Sequence, residues 1–162
     1  MMKKTCTLYF SEGKLKFSSG HSTIFSATNR EPLHGHNYTV EVKMEAEMGE
    51  PGIILDYRVL EAPIIALCDQ LNWHCLMPTK SPYLAIEDDG EHYQITFDKK
   101  SMWLLKTDVV LLPLENVTLE TLSQWFVDQL TQNKAFMQTH RVHAISVKVF
   151  NGPHHAAESC CN

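Results

Sequence analysis

Two histidines one residue apart, His34 and His36, are the side chains of this chain best suited to chemistry. Side chains at positions i and i+2 of a strand point to the same face, so these two imidazoles can share one metal ion. His21 ends a neighbouring stretch of alternating residues and is the natural third ligand. Three neutral imidazoles leave one tetrahedral position of Zn²⁺ open for a substrate oxygen, as in catalytic zinc sites. His-x-His pairs also occur on surface strands that bind nothing, so residue chemistry alone leaves both interpretations open.

Glu31 precedes His34 by three residues, in a turn that Pro32 stiffens by fixing its φ angle. A carboxylate beside a metal-bound ligand can act as a general acid or base. The alternative is a solvated loop carboxylate, which is the common state of an isolated glutamate. Most other histidines occupy turn or strand-end positions typical of solvated side chains: His92, His140, His143, His154 and His155.

Two alternating stretches must position these residues. The first is a strand at 7–17 broken by a turn-like segment at 11–13, and the shared parity of residues 15–21 places Phe17 and His21 on one face. The second, residues 34–48, alternates apolar and polar side chains between Val40 and Ala46. One face of the sheet is therefore predicted to be apolar and the other to face water.

Two amphipathic helices are predicted between the strands. Asp56 is placed to cap the first, whose apolar residues recur every three or four positions between residues 60 and 71. Pro63 lies beyond its first turn and should kink it, unless the helix begins later. Thr118 is placed to cap the second, which has an apolar stripe between residues 119 and 130.

The rest of the pattern consists of strands and turns. A short strand is expected at 52–55, a hairpin around the Asp-Gly step at 88–91, and a last strand at 144–150. The polar tail that follows, with Cys160 and Cys161, is expected to fray. Few helices among long strands predict an α+β fold, an antiparallel sheet with both helices on one face.

Composition excludes several functional classes. The 162 residues, 44% hydrophobic, fit a single domain spanning 1–162, and a net charge of −5 argues against nucleic acid as a partner. No window reaches the ~20 apolar residues of a membrane span, and no signal-peptide run begins the chain, so we expect a cytoplasmic protein. The five cysteines form no CxxC pair, which argues against a disulfide scaffold or a cysteine-ligated zinc site.

Five segments, in this order along the chain, resemble the 6-pyruvoyl-tetrahydropterin synthase / 6-carboxy-tetrahydropterin synthase family: Phe17–His21, His34–Tyr38, Gly52–Tyr57, Pro78–Thr79 and Asn116–Glu120. The likeness covers most of the chain, and five matching segments together are far more specific than any one. It implies the tunnelling fold, in which a four-stranded antiparallel sheet carries two helices on its outer face. It also implies a homo-oligomer, with three subunits closing a barrel and two trimers stacking as a hexamer.

The resemblance further implies a site. His21, His34 and His36 would bind Zn²⁺, and the substrate class would be 7,8-dihydroneopterin triphosphate. The pterin ring would be gripped near Thr118 and Glu120.

The chain departs from the family pattern at the nucleophile. Typical members carry a cysteine four or six residues before the first histidine of the HGH motif, where this chain has Arg30 and Thr28. One branch replaces the cysteine with glutamate in the pattern ExxHGH, which residues 31–36 match letter for letter. That branch resembles the enzymes that cleave the side chain of dihydroneopterin triphosphate to 6-hydroxymethyl-7,8-dihydropterin for folate synthesis.

Three further departures concern binding and proton transfer. The family's Asp-His pair would fall at residues 72–73, which are Asn and Trp, with His74 one step further and without a carboxylate to orient it. His74 is therefore either a second proton carrier or an ordinary helix-end or interface histidine. The late glutamate that holds the pterin's guanidine-like edge would fall at Asn151, which offers a carbonyl but no charge. The segment from about 83 to 110 is an insertion relative to the smallest members.

Three functions follow as hypotheses. The first is a zinc-dependent lyase acting on dihydroneopterin triphosphate or a close relative, with Glu31 as proton carrier. The second is 6-carboxy-tetrahydropterin synthesis on the deazapurine (queuosine) route, which needs the missing thiol or a substitute. The third is a metal- and pterin-binding assembly protein that has lost turnover.

Overall fold

The structure, a computed structural model, describes residues 4–11, 13–50, 52 and 56–161. Its strands are β1 Thr5–Phe10, β2 Lys16–His21, β3 His34–Glu47, β4 His74–Pro78, β5 Ala85–Asp88, β6 His92–Phe97, β7 Lys100–Leu105, β8 Val109–Leu112, β9 Val142–Asn151 and β10 His155–Cys161. Its helices are α1 Tyr57–Leu71, α2 Leu119–Gln132 and α3 Lys134–Thr139, and a 3₁₀ turn spans Lys106–Asp108.

The main sheet is mixed. Its order is β10-β9-β3-β2-β4-β8, with β1 paired to the distal half of β3. The α+β class is confirmed, but the sheet has seven strands instead of the four predicted. Strands β10, β9, β3, β2 and β1 pair antiparallel, and β4 and β8 extend the sheet in parallel. These two strands are short apolar runs without alternation. Such a run has no period by which a strand could be told from a buried loop or helix segment.

The prediction that the polar tail of the chain frays is wrong. Instead of fraying, residues 155–161 return along β9 as β10, through a turn in which Gly152 has a φ of 66°. Cys161 packs partly against the core, and Ser159 shares a 2.8 Å hydrogen bond with Ser123 of α2. The polar composition hid the strand because only alternate small residues of β10 face the helix.

Both predicted helices form with the predicted caps. The side chain of Asp56 accepts a hydrogen bond from the amide of Arg58, and that of Thr118 accepts one from Thr121. Pro63 lies inside α1, which begins at Tyr57 as its cap requires. The predicted strand at 52–55 lies outside the described residues except for Gly52. Within the described ranges, no helix is long and apolar enough to cross a membrane.

The core lies between the sheet and the helices. The inward residues of β3 from Tyr38 to Ala46 are buried, and the intervening ones face outward as predicted. Phe17 stacks on Tyr38 with ring centroids 4.8 Å apart and meets Phe126 of α2 at 6.0 Å. This packing fixes α2, and with it the segment preceding α2, against the end of the sheet that carries the histidines.

The inserted segment forms a second sheet, β5-β6-β7, with the predicted hairpin at 88–91 between β5 and β6. A tighter hairpin, through Asp98 and Lys99 with positive φ at both, joins β6 to β7. The inward side chains of this second sheet form a small cluster with Met77 and Val109 of the main sheet. The insertion is therefore an ordered layer attached to the β4–β8 side of the molecule.

From the packing of the core we expect two Leu→Ala substitutions to lower the free energy of unfolding by very different amounts. Leu122 of α2 is fully buried, whereas Leu105 of β7 is 49% exposed. We expect Leu122→Ala to lower the free energy of unfolding by about 2–5 kcal/mol, because it leaves a cavity. Leu105→Ala should cost less than about 1 kcal/mol. Urea unfolding followed by circular dichroism measures both, and equal losses would contradict the proposed packing.

Candidate metal centre and active site

The pairing of β2 with β3 brings the three predicted ligands together. His21 lies directly opposite His34, and His36 lies opposite Ser19, in an antiparallel register. Paired residues share a face, so all three rings project to the same side of the sheet. Their ring centroids are 4.7 to 5.1 Å apart, and one nitrogen from each ring lies within 4.8 Å of the others.

Two backbone carbonyls orient the rings. Nδ1 of His21 donates to the carbonyl of Val117 at 2.9 Å, and Nδ1 of His34 donates to that of Pro32 at 2.8 Å. A carbonyl can only accept, so the hydrogen is on Nδ1 and the lone pair of Nε2 is free. Nε2 of His21 is buried and has no hydrogen-bond partner among the described residues. An orphaned imidazole nitrogen beside two others fits a metal ion, which would satisfy it.

Burial also favours the ligating protonation state. Desolvation lowers the pKa of His21, and the charges of His34 and His36 lower it further, against the opposing effect of the Val117 carbonyl. Desolvation likewise lowers the pKa of His36. Because a lowered pKa keeps an imidazole neutral near pH 7, both rings are in the form that binds a metal.

Glu31 lies at the edge of this cluster. Its Oε2 is 3.9 Å from Nε2 of His34 and accepts a hydrogen bond from the amide of Thr23 at 3.3 Å. The bond from Thr23 lowers the pKa of the Glu31 carboxyl, although partial burial acts in the opposite direction. The carboxylate is therefore ionised at neutral pH and can accept a proton from a ligand held by the histidines.

Among the described residues, the cluster is bordered by an aromatic ring and by no activated thiol. Tyr38 presents its ring edge-on to His36 at 5.7 Å, and burial raises the pKa of its hydroxyl. Cys75 pairs with Gly20, the residue before His21 on β2, and its Sγ lies on the face of the sheet opposite to the ring of His21. Burial raises the pKa of the Cys75 thiol to about 11, so the thiol is protonated at neutral pH.

The predicted pterin-binding residues lie around the same end of the sheet. Thr118 follows Val117, whose carbonyl holds His21, and its hydroxyl is engaged in the α2 cap. Glu120 is exposed in the first turn of α2. Asn151 pairs with Tyr38 across β3 and β9, so its side chain shares a face with the histidines.

His74 is placed differently. It pairs with Ser19 at the start of β4 and follows Trp73, which is 83% exposed and has a φ of 63°. It lines an open cavity of about 510 Å³ together with Asp108 and His36. Its Nδ1 is buried, and in the part of the chain that the structure describes it has no hydrogen-bond partner. Among the described residues, no ring contact or hydrogen bond joins it to His21, His34 or His36.

Sequence reasoning missed the groups that hold the site in place. The amide of Thr23 and the carbonyl of Val117 act through the main chain, which leaves no mark on residue type. Asn116 is a partial exception, since an amide side chain just before a capped helix is a candidate anchor. It binds both the amide and the carbonyl of Ile24, at 3.1 and 2.8 Å.

Comparisons with known proteins agree with this geometry. Residues 12–160 match the family model described as 6-pyruvoyl tetrahydropterin synthase. A protein of Methanocaldococcus jannaschii, provisionally described as 6-carboxy-5,6,7,8-tetrahydropterin synthase, is 24% identical over 85% of both chains. A Pyrococcus horikoshii protein with the same provisional description is 29% identical over 78% of this chain and 73% of its own.

A solved structure of 6-pyruvoyl tetrahydropterin synthase from Plasmodium vivax superposes with a TM-score of 0.90 at 26% identity, over 98% of this chain and 99% of that one. Two further structures of the P. vivax protein, with TM-scores of 0.91, are described as catalytic residue mutants in which a glutamate is replaced by cysteine or alanine. With a family model that spans nearly its whole length, and with three converging histidines, this chain belongs to the 6-pyruvoyl tetrahydropterin synthase family.

Proposed function

We propose that this protein is a zinc-dependent lyase that cleaves the side chain of 7,8-dihydroneopterin triphosphate, or of a close pterin relative, to give 6-hydroxymethyl-7,8-dihydropterin. The observation that carries the proposal is the carboxylate of Glu31 at the edge of the three-histidine cluster, with its Oε2 3.9 Å from Nε2 of His34. The catalytic glutamate of the P. vivax 6-pyruvoyl tetrahydropterin synthase supports the same role for Glu31.

The proposed chemistry assigns the metal to Nε2 of His21 and to the rings of His34 and His36. When bound, Zn²⁺ would polarise the side-chain hydroxyls of the substrate and lower their pKa. Glu31 removes the proton from the hydroxyl on the second side-chain carbon. The bond between the first and second carbons then breaks, its electron pair passing toward the pterin ring, and the second carbon becomes an aldehyde. Glu31 returns the proton to the first carbon, so the step is balanced without an oxidant.

The pterin ring is proposed to lie near Thr118, Glu120 and Asn151. Glu120 supplies an exposed carboxylate, the strongest acceptor for the donors on the ring's guanidine-like edge. Asn151 can accept one hydrogen bond on the same face of the sheet as the ligands. The mechanism needs only Glu31 as proton carrier, and a second proton-carrying role for His74 stays a prediction.

The principal alternative is 6-carboxy-tetrahydropterin synthesis, the activity provisionally assigned to the archaeal relatives. It needs a thiol or a substitute near the metal. Cys75, which pairs with Gly20 and lies on the face of the sheet opposite to His21, is held protonated by burial. A binding protein without turnover is the third candidate, and product analysis distinguishes it from both enzymes.

Open sheet edges favour a homo-oligomer. In the described ranges, β1 pairs only with β3 and β10 only with β9, so the outer edges of both strands carry unpaired backbone groups. Tyr9 on β1 is 71% exposed. Pairing of β1 from one copy with β10 from another would satisfy both edges, and we propose a cyclic trimer, alone or stacked as a hexamer.

Metal binding is tested by titrating metal-free protein with Zn²⁺. We expect one ion per chain, and His21→Ala should weaken binding by more than about 100-fold, because loss of a ligand exceeds loss of a supporting contact. His143→Ala, an exposed histidine on β9, is the matched control and should leave affinity unchanged. Equal affinity of His21→Ala and His143→Ala would contradict the proposed centre.

Turnover is tested by incubating zinc-loaded protein with 7,8-dihydroneopterin triphosphate and identifying products by mass spectrometry. Glu31→Ala should lower kcat by about 10²–10⁴-fold, the usual contribution of a general acid–base group, with metal content unchanged. Glu87→Ala removes an exposed carboxylate of β5 and should have no effect. If the parent forms no product and Glu31→Ala binds pterin as tightly as the parent, the protein is a binding protein instead.

A further inference from the structure

The loop that carries Glu31 has little regular structure of its own. It connects β2 to β3 through residues 22–33 and contains only an isolated bridge between Ile24 and Arg30. Glu31 is held in it by its main chain: its amide donates to the carbonyl of Thr23 at 2.9 Å. Its side chain is 40% exposed, so packing alone does not fix the carboxylate. Its position depends on what holds the backbone of residues 30 and 31.

Arg30 supplies much of that restraint. Its Nη1 donates to the carbonyl of Glu31 at 2.7 Å and to Oγ of Ser22 at 3.1 Å, and Oγ of Ser22 in turn donates to the same carbonyl at 3.1 Å. One carbonyl therefore receives two hydrogen bonds, and one of them comes from a permanent cation. Among the described residues, no carboxylate lies within ion-pair distance of Arg30, so the guanidinium is not held by a salt bridge.

The guanidinium lies instead on an aromatic ring of the inserted sheet. Its central carbon is 5.5 Å from the centroid of Phe97, the last residue of β6, which is only 8% exposed. A cation over a ring face is attracted by the ring quadrupole, more strongly where water is excluded. Phe97 is held by the two-residue turn through Asp98 and Lys99, where positive φ angles at both positions make a tight hairpin.

We propose that Phe97 and Arg30 are positioning residues for Glu31, so that the inserted sheet supports the catalytic loop. The ring holds the guanidinium, the guanidinium holds the Glu31 carbonyl, and the fixed backbone keeps the carboxylate between Thr23 and His34. The inference rests on the proposed function for its catalytic consequence. Its structural part, the restraint of the loop, does not depend on that function.

The structural part is tested by hydrogen–deuterium exchange on the zinc-loaded protein. Phe97→Leu keeps an apolar side chain but removes the ring face, and exchange at the amides of Thr23 and Glu31 should become about tenfold faster, equivalent to about 1.4 kcal/mol. Phe97→Tyr should restore the parent rate. Trp103→Leu, a 56% exposed aromatic residue of the same sheet, is the matched control and should leave both amides unchanged.

The catalytic part is tested by a double-mutant cycle. Phe97→Leu should lower kcat about tenfold with little change in KM or metal content, because the substrate and metal ligands stay in place. In the Glu31→Ala background the same substitution should have no further effect, since it acts through that carboxylate. Additive losses would assign Phe97 to general stability and overturn the catalytic part.

The outcomes separate the two proposals. Unchanged exchange at Thr23 and Glu31 in Phe97→Leu would overturn the inference, whatever the activity. Faster exchange in a protein that does not turn over dihydroneopterin triphosphate would support the loop restraint and reject the proposed function.

Discussion

The antiparallel register between β2 and β3 is the constraint on which the site depends. It sets His21 against His34 and Ser19 against His36, so three imidazoles meet on one face although they come from two strands. Because side chains alternate along a strand, a shift of one residue in this register would move one strand's histidines to the opposite face. The stacked pair of Phe17 and Tyr38 lies a few residues along the same two strands and is buried in the core. The packing that stabilises the fold thus also fixes the register of the three histidines.

Local patterns in the sequence predicted the parts of the structure that depend on short-range order. Alternation predicted the faces of β3, and the helical stripes and caps predicted α1 and α2 with Asp56 and Thr118 in place. The spacing of the histidines predicted the cluster because i and i+2 positions share a face. These features follow from the geometry of a single strand or helix, which is why residue order was enough.

Long-range features were not predictable in the same way. The parallel pairs of β4 and β8 join short apolar runs that carry no period, and β10 has the composition of a solvated tail. The contact between Arg30 and Phe97 joins a loop to a distant hairpin, and neither residue type signals the other. The carbonyls and amides that orient His21 and Glu31 belong to the main chain, whose chemistry is the same at every residue.

This dependence on the main chain has a consequence for substitutions around the site. The second contacts of His21 and His34 are the carbonyls of Val117 and Pro32, and a carbonyl survives a change of side chain. The side chains at positions 32 and 117 can therefore change without altering the tautomer of either histidine. The orientation of the two imidazoles therefore depends on the path of the backbone, and substitutions around the three-histidine cluster alter it only where they move that backbone.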